Sequence, residues 1–513
     1  MAIRTYGLSG SGMDVDQMVK DLMKAQRTRY DTMVQKKTQL EWKKADYNSM
    51  YTTINDFRNN TVFNYKMQGT LMPKKTLSSN EQVASATANA DAVNFTHSIE
   101  VTSIAQSASM SSNASISKAG SPGKTNLQDH IGVSGTINLT FNDGTTTKSL
   151  SNYDTTGKSV YDLVSEINNL GLNVKASYDN TLDRFFLYST KSGESNQITV
   201  STADADDTGG RLLMENLKLG DAESLTTKTP PVAPEVAPNN FTSGKDAVAK
   251  IDGATITQSN NSFTISGVTY TLKQLGTSSV TVSSDNDKAV AAVKSFIEAY
   301  NSTLSKINGE INETYYKDFL PLTTEQKKEM KEADIKVWED KAKSGLLRRN
   351  PILQDLVSKM RNDLANPISG LTGKYTSASS IGITTGSYTE GGKIYLDETK
   401  LKAALEADPE VLNKIFGSKG DNSSTSGIAT RLYDTLKASS DKIVTEAGIT
   451  AATATDTKSN LAKLIKDYDE RMYDLNDRLA MMEDRYYKQF DAMETALQKL
   501  SQQSTWLAQQ FSS

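Results

Sequence analysis

The sequence contains no cysteine and only two histidines among its 513 residues. The absence of thiols excludes disulfides, thiolate metal sites and a cysteine nucleophile. Neither His97 nor His130 stands in a close ligand set such as H-E-x-x-H, so we expect both to have structural roles and not to bind a metal. The nucleophile elbow G-x-S-x-G is also missing. We therefore expect no enzymatic activity and no cofactor.

The sequence also lacks a strong charge of either sign and a long apolar run. Its 57 basic and 61 acidic residues give a formal net charge of −4, which offers no electrostatic case for binding nucleic acid or an anionic membrane. No run of 18 apolar residues occurs, and the first ten residues lack the apolar core of a cleavable signal peptide. We expect neither nucleic acid nor a membrane as a partner. Export by a route that reads no such signal stays open.

Three glycines precede a helical pattern in residues 6–23. A phosphate-binding loop is the alternative, but the spacing is G-x-x-G-x-G and there is no room for a preceding strand in a βαβ unit. We interpret Asp14 as a helix N-cap, with Gln17 completing a capping box and Met13 and Met18 forming a hydrophobic staple.

The acidic loop 204–215, DADDTGGRLLME, is the nearest approach to a metal motif. It places Asp204, Asp206 and Glu215 at positions 1, 3 and 12 of a calcium loop. However, Thr208 occupies position 5, and a strand pattern precedes the loop where an EF-hand has a helix. We favour an acidic turn that closes a strand, with calcium binding as the alternative.

A proline-free helical pattern extends from Asp14 to about Thr61. Its apolar positions follow coiled-coil spacing, the first three at 4 and 3 and the last four at 7; they are Val15, Val19, Leu22, Met33, Leu40, Tyr47 and Ile54. Two positions of each heptad form the seam that faces a partner helix. The second of these positions is partly basic here, with Arg29, Lys36 and Lys43. This mixture suits a helix that pairs on one side only.

The region from Lys74 to Asp285 is rich in Ser, Thr, Asn and Gly and alternates like β-strands. NFTHSIEVT predicts one strand, and NSFTISGVTYTL predicts two strands around a Ser-Gly turn. Asp143-Gly144 indicates a hairpin within TINLTFNDGTTTKSL. The segment TPPVAPEVAPNN holds four of the ten prolines and is typical of a stiff linker.

Helical patterns return at Lys288. KAVAAVKSFIEAYNSTLSKI predicts one helix, and the charge-dense stretch TEQKKEMKEADIKVWEDKAK predicts a solvated one. GITTGSYTEGGKIYLDE predicts a hairpin through Gly391-Gly392.

The C-terminal segment has the strongest pattern in the sequence. Thirteen of fourteen positions spaced by 4 and 3 are apolar, with one stutter between Tyr486 and Phe490; they are Leu461, Ile465, Tyr468, Met472, Leu475, Leu479, Met482, Tyr486, Phe490, Met493, Leu497, Leu500, Ser504 and Leu507. These seam side chains can be buried only against a partner. The N-terminal helix is the candidate partner, because it is the other long helix predicted without proline.

These patterns predict an α+β multidomain protein in which paired terminal helices form a coiled-coil stalk and β-rich head domains are inserted between them. The predicted divisions are an N-terminal arm 1–75, a β-rich domain 76–111 with 240–285, an inserted β-rich domain 112–239, a helical region with a charged insertion and hairpin 286–460, and a C-terminal coiled-coil helix 461–513. The predicted stalk and oligomer seam comprises Leu40, Tyr47, Ile54, Leu461, Ile465, Leu475, Leu479, Met482, Tyr486, Phe490, Met493, Leu497 and Leu500.

The order of these segments resembles the flagellar filament cap family, also called hook-associated protein 2. GLSGSGMDVDQMVKDLM resembles its N-terminal signature, and SEINNLGLNVKASYDNTLDRFFLYSTKSGESNQITV resembles the IN motif shared with flagellins, headed by Ile167-Asn168. KIDGATITQSNNSFTISGVTYTL, SGLLRRNPILQDLVSKMR and MEDRYYKQFDAMETALQKLSQQSTWLAQQF resemble its central and C-terminal blocks. The resemblance is weakest from about Met110 to Asn240.

The resemblance implies a secreted protein at the distal tip of a bacterial flagellum. It implies a homo-oligomeric ring, often a pentamer, that retains exported flagellin and promotes its folding and polymerisation, so that filaments elongate and cells move. Its implied partners are other copies of the chain, flagellin and an export chaperone. The alternatives are an adhesin that binds mucin or host glycans and a flagellin-like structural subunit.

Overall fold

Long helices lie near both ends of the described part of the chain. The computed structural model describes residues 14–119, 121, 126–202, 208–219, 241–451 and 455–511. Its α-helices in chain order are α1 (Val15–Asp56), α2 (Gln68–Leu71), α3 (Leu127–His130), α4 (Val160–Asn169), α5 (Thr208–Asn216), α6 (Asn286–Asn312), α7 (Thr324–Glu329), α8 (Glu332–Lys343), α9 (Pro351–Ala365), α10 (Glu398–Ala407), α11 (Ile428–Ala447) and α12 (Asn460–Phe511). Two π-helical segments accompany them, Phe57–Val62 directly after α1 and Asn413–Gly417.

The strands lie mainly in the middle of the chain. They are β1 (Lys74–Ser78), β2 (Ala84–Ala88), β3 (Thr96–Ser103), β4 (Ser107–Ser111), β5 (Thr136–Asn142), β6 (Thr147–Asp154), β7 (Val174–Asp179), β8 (Arg184–Ser192), β9 (Thr199–Thr202), β10 (Phe241–Thr242), β11 (Ala247–Ile251), β12 (Ala254–Gln258), β13 (Ser262–Ile265), β14 (Val268–Leu272), β15 (Gly276–Ser284), β16 (Ile383–Thr385) and β17 (Ile394–Leu396).

The chain divides into two units. A helical unit comprises residues 1–72 and 286–513, and a β-rich unit comprises residues 73–285. The β-rich unit is therefore inserted in sequence between the two halves of the helical unit. The α+β multidomain class predicted from the sequence is confirmed, as is the pairing of the terminal helices described below.

The start of α1 agrees with the predicted N-cap but not with the predicted capping box. The Asp14 carboxylate accepts a hydrogen bond from the Gln17 backbone N–H at 2.9 Å. The Gln17 side chain donates instead to Asp21, one turn further on, at 3.1 Å. The second half of the capping box was therefore wrong. Met13 lies outside the described residues, so the predicted staple to Met18 does too.

The C-terminal end of α1 enters the core of the helical unit. Ile54 and Phe57 are buried against α6, where the rings of Phe57 and Tyr300 lie 6.3 Å apart in an edge-on arrangement. Phe296 of α6 packs edge-on against Phe416 at 5.2 Å. Burial of each such side chain contributes about 1.5–3 kcal/mol. This core anchors one end of α1.

The charge-dense stretch 324–343 forms two helices where the sequence pattern predicted one. Thr323 and Gln326 form a capping box at the start of α7. The backbone is extended at Met330 and Lys331, with ψ of 154° and 148°, which separates α7 from α8. In α8, the Trp338 ring packs 4.6 Å from Phe319, and its indole N–H donates to the Leu320 carbonyl at 2.8 Å. α8 is thus held by an aromatic contact that a charge pattern does not reveal.

The β-rich unit has two separate apolar cores. One is enclosed by the five-stranded sheet β1-β15-β3-β11-β12 and the three-stranded sheet β13-β14-β2. The other is enclosed by the sheets β10-β4-β8-β7 and β6-β5-β9 together with α4. Residues of the second core come from Ala108 to Leu219, with Phe241 packed against it.

The ends of this unit lie side by side. β1 and β15 are antiparallel neighbours, with Lys74 opposite Ser284, and the Asp285 N–H donates to the Pro73 carbonyl at 2.9 Å. The same arrangement recurs inside the unit. Gln106 and Lys245 exchange two backbone hydrogen bonds of 2.9 and 3.0 Å where the chain enters and leaves the second core.

Both predicted hairpins of the β-rich unit are present. Ser266 and Gly267 have φ of 50° and 79° and join β13 to β14 as a two-residue turn. Asp143-Gly144 lies in a four-residue loop instead, because Asn142 pairs with Thr147. Although burial alone would raise the pKa of Asp143, hydrogen bonds from Asn173 and from the loop backbone hold that pKa well below its usual range. The carboxylate therefore organises this loop.

Candidate assembly surfaces on the helical unit

The terminal helices α1 and α12 run antiparallel. Two contacts join them: Tyr487 donates to Asp16 at 3.1 Å, and Lys37 Nζ lies 2.6 Å from Asp469. In the segment that precedes α12, Asp456 lies 2.8 Å from Lys44 Nζ. The residue number rises along α1 as it falls along the C-terminal segment. The partner predicted for the C-terminal helix is confirmed.

The predicted seam residues fall into three groups along this pair. Five are buried: Tyr47, Ile54, Leu461, Ile465 and Leu479. Five are partly buried and pack against the cores: Leu40, Leu475, Met482, Tyr486 and Phe490. Three are exposed: Met493, Leu497 and Leu500, with 39, 37 and 60% of their surface accessible. The structure brings the first ten into intrachain contact, and among the described residues the last three stay exposed. The role of these three in an oligomer stays a prediction.

One predicted position on α1 was wrong. Leu22 is 41% exposed, whereas its neighbour Met23 is buried with Val19 against Leu479. An α-helix has 3.6 residues per turn, so apolar positions drift around it unless the helix supercoils. The step from 19 to 23 follows a straight helix, whereas the predicted step to 22 assumed a heptad. Met50 is also buried; it is the next residue, seven after Lys43, at the second seam position, where the preceding basic residues mask the apolar pattern.

A buried ion pair joins α1 to the segment that precedes α12. Lys44 is fully buried, and its ammonium group donates to Asp456 at 2.8 Å and to the Thr450 carbonyl at 2.6 Å. Ser459 donates to the same carboxylate at 2.6 Å. Burial alone would raise the pKa of Asp456, but Lys44 and Ser459 hold it well below its usual range. No sequence pattern singled out Lys44, because nothing in the periodicity marks a lysine as buried.

A basic cleft lies beside the α1–α12 pair. Its volume is about 530 Å³, and α1, the 345–349 loop and α12 contribute side chains to it. We call it the basic cleft and define it by its lining residues Lys36, Gln39, Leu40, Lys43, Tyr315, Gly345, Leu346, Arg348, Arg349, Leu464 and Tyr468. Four of these are cations and none is a carboxylate. A cleft lined by both cations and apolar side chains can bind a partner that carries acidic and apolar groups.

The loop that presents the two arginines is held by a close backbone approach. Gly345 has φ of +77°, and a Cβ there would lie 2.8 Å from the Tyr315 Cα. Its N–H donates to Glu313 at 2.6 Å. The Arg349 N–H donates to the Ile311 carbonyl at 3.0 Å. These contacts direct Arg348 and Arg349 towards Lys36 and Lys43 of α1. The sequence feature that could have indicated this cleft is the series of basic residues, seven apart, at the second seam position of α1.

The two histidines have structural partners in the β-rich unit. His97 Nδ1 lies 2.7 Å from Asp252, and the ring stands edge-on to Tyr270. His130 Nε2 lies 3.1 Å from Asp183, which also accepts from Tyr178 at 2.8 Å. Over the described ranges, no group of three or more His, Cys, Asp or Glu side chains is arranged to hold a metal ion.

Besides the staple from Met13, two further sequence predictions fall outside the described residues. The proline-rich linker 229–240 is one, and Asp204 and Asp206 of the acidic loop are the other. Within the part of the chain that the structure describes, no helix has the length and apolar character to cross a bilayer.

These observations define a class: an α+β multidomain protein with antiparallel terminal helices, between which the β domains are inserted in the sequence. The family model "Flagellar hook-associated protein 2 C-terminus" matches residues 244–502, and "Flagellar hook-associated protein 2 N-terminus" matches residues 11–108. The chain belongs to the flagellar hook-associated protein 2 family. The region between the two matches, residues 109–243, includes nearly all of the second core of the β-rich unit.

Two relatives align with most of the chain. The chain is 29% identical to flagellar hook-associated protein 2 of Halalkalibacterium halodurans, over 98% of each chain. It is 28% identical to the B-type flagellar hook-associated protein 2 of Pseudomonas aeruginosa, over 88% of this chain and 84% of that one. The D1-D2-D3 domains of the flagellar cap protein FliD from Escherichia coli share the fold, with a TM-score of 0.55 and 19% identity over 83% of this chain and 99% of that one.

Proposed function

We propose that this chain is a flagellar filament cap that assembles into a small homo-oligomeric ring at the distal tip. There it retains exported flagellin, promotes its folding and insertion, and so supports filament elongation and motility. The proposal extends to a secreted, extracellular location and to an export chaperone that holds the chain before secretion. The pentamer is the ring size implied by the resemblance.

The observation that carries the proposal is the uncovered end of α12. The inner seam is buried against α1, but Met493, Leu497 and Leu500 continue the same apolar stripe into solvent. A regular apolar stripe on a helix is stabilised by burial against another helix. In a ring, neighbouring copies supply that surface, which supports assembly as the role of this end of the chain.

Complementation in a flagellated strain whose own cap gene is deleted tests the proposal. Cells that produce this chain should swim and keep flagellin in filaments, and cells without it should release flagellin monomers into the medium. A control chain with substitutions at two exposed polar positions of α12, Gln502→Asp and Gln503→Asp, should restore swimming as well as the parent chain does. Normal secretion of this chain with flagellin still shed would contradict the proposal.

A further inference from the structure

The four cations of the basic cleft have no acidic partner of their own. In the described residues, no carboxylate forms a salt bridge with Lys36, Lys43, Arg348 or Arg349. Lys37, the next residue along α1, is paired with Asp469 at 2.6 Å. Unpaired cations that converge on one cavity repel one another, and an acidic group placed among them relieves that repulsion. The cleft is therefore complementary to an anion.

The cleft also has apolar walls. Leu40, Leu464 and Tyr468 line it together with the cations, and Leu464 is 47% exposed. Water in contact with these side chains is released when an apolar group covers them. A small inorganic anion would leave the walls uncovered. The chemistry of the cleft thus favours a segment that carries acidic and apolar side chains together.

The same chain carries such a segment on the outer face of α12. Tyr473 and Met481 are 69 and 65% exposed, and the exposed carboxylates of Asp474 and Asp477 lie between them in the sequence. We call these four residues the acidic stripe. At 3.6 residues per turn, they lie on the side of α12 roughly opposite its buried residues, such as Met472 and Leu479. In the described residues, neither Asp474 nor Asp477 forms a salt bridge.

We propose that the basic cleft of one copy binds the acidic stripe of a second copy. The cleft is lined by Leu464 and Tyr468 of α12 itself, and the stripe points away from that side, so one copy cannot fill its own cleft. Each copy presents both surfaces, and they are different surfaces. Such head-to-tail contacts close into a ring when the rotation between neighbours permits it. This inference rests on the proposed self-assembly and names surfaces that would perform it.

Charge reversal on either surface tests the contact. The cleft variant carries Arg348→Glu and Arg349→Glu, and the stripe variant carries Asp474→Arg and Asp477→Arg. All four side chains are exposed, so both variants should keep the circular dichroism spectrum and melting temperature of the parent chain. Mass photometry of each variant alone should show self-association weakened by about tenfold or more, because like charges then meet in the contact.

Mixing the two variants gives the decisive measurement. The unchanged stripe of the first fits the unchanged cleft of the second, and the reversed stripe of the second fits the reversed cleft of the first. An equimolar mixture should therefore recover oligomers that neither variant forms alone. Raising the salt concentration should weaken both the parent and the mixed assemblies. The control variant Lys400→Glu with Lys402→Glu, on the exposed face of α10, should assemble like the parent.

Three results would overturn the inference, and they differ from one another. Variants that assemble normally on their own would place the contact elsewhere, even if cells carrying them retain flagellin as the proposed function requires. Normal oligomers combined with loss of flagellin retention would mean that the cleft binds flagellin and not a second copy. A parent chain that stays monomeric at every concentration would contradict the proposed function as well.

Discussion

At the scale of single residues, the buried pair of Lys44 and Asp456 is the feature with the largest expected effect on stability. Replacing Lys44 with Met removes the cation and leaves the Asp456 carboxylate buried beside an apolar chain. Breaking a buried pair in this way costs about 3–5 kcal/mol. The expected result is a clear fall in melting temperature, followed by circular dichroism at 222 nm.

The matched control for this variant is Lys37→Met on the same helix. Lys37 pairs with Asp469, but both side chains are partly exposed, and such a pair contributes about 0–1 kcal/mol. Equal losses of stability in the two variants would show that burial does not determine how much the pair of Lys44 and Asp456 contributes to stability.

Asp46 provides a prediction about pH. Burial, reinforced by Glu310 and Glu313, raises its pKa to about 7. In the unfolded chain an aspartate ionises near pH 4, so between about pH 4 and 7 the unfolded state loses a proton that the folded state keeps. The free energy of unfolding therefore falls as the pH rises through this window.

Asp46→Asn removes this ionisation. The variant should melt at a higher temperature than the parent at pH 8 and show a flatter dependence of melting temperature on pH between 4 and 8. Asp21→Asn, at an exposed position of the same helix, serves as the control and should follow the parent. A parallel pH profile for the parent and the Asp46 variant would count against the account of this carboxylate.

Individual residues were the least predictable part of this molecule from sequence. The absence of a histidine ligand set could be read directly, but a pattern of apolar spacing could not reveal that Lys44 is fully buried. Its partner Asp456 is more than 400 positions away, so only the fold brings the two together. Lys36 and Lys43 were visible as basic seam positions, whereas their convergence with Arg348 and Arg349 depends on the glycine turn at 345.

At the scale of elements, the inner seam of α12 and its uncovered end have different expected roles. Leu479→Asp with Met482→Asp places two charges against Val19 and Met23, and burying an unpaired charge is costly. The helical signal at 222 nm should fall as the facing part of α1 loses its partner. Asn476→Asp with Ala480→Asp, at exposed positions, should leave the signal unchanged; an equal fall in both variants would mean that charge and not burial is responsible.

The exposed end of α12 gives the complementary prediction. Leu497→Asp with Leu500→Asp changes exposed side chains that no residue in the described part of the chain buries, so the helical signal and melting temperature of the monomer should stay the same. Mass photometry should show weaker self-association, with Gln502→Asp and Gln503→Asp as the polar control. Unchanged oligomers would mean that this end of the helix does not take part in assembly.

Long elements with a regular period were predictable because the period itself carries the information. The C-terminal pattern predicted a helix from Leu461 onwards, and α12 runs from Asn460 to Phe511. Local detail was less predictable. A strict heptad led to Leu22 in place of Met23. The charge pattern showed neither the extended backbone at Met330 and Lys331 that separates α7 from α8 nor the contact of Trp338 with Phe319, which lies outside the charged stretch.

At the scale of the whole molecule, the β-rich unit contains a nested insertion that forms its second core. We propose that the rest of the unit, which holds the first core, folds without this insertion. Ala108 and Met110 belong to the second core, so the excision should begin at Ser107 and end at Gly244 instead of at the predicted boundaries 112–239. Gln106 and Lys245 are already paired, and a short Gly/Ser linker can join them.

The shortened chain should keep the fold of the remaining β-sandwich and the helical unit, with a cooperative melting transition and resistance to limited proteolysis. In complemented cells, flagellin should still be retained. Release of flagellin by cells with a stably folded shortened chain would mean that residues 107–244 hold subunits themselves.

Electron microscopy of the purified full chain would show whether this chain assembles into a closed cap. We expect small closed rings, singly or in pairs, whose number of copies stays constant as the protein concentration rises. Long open filaments would instead identify a flagellin-like subunit. A chain that remains monomeric at high concentration would form no ring, and either of these two results would refute the proposed cap.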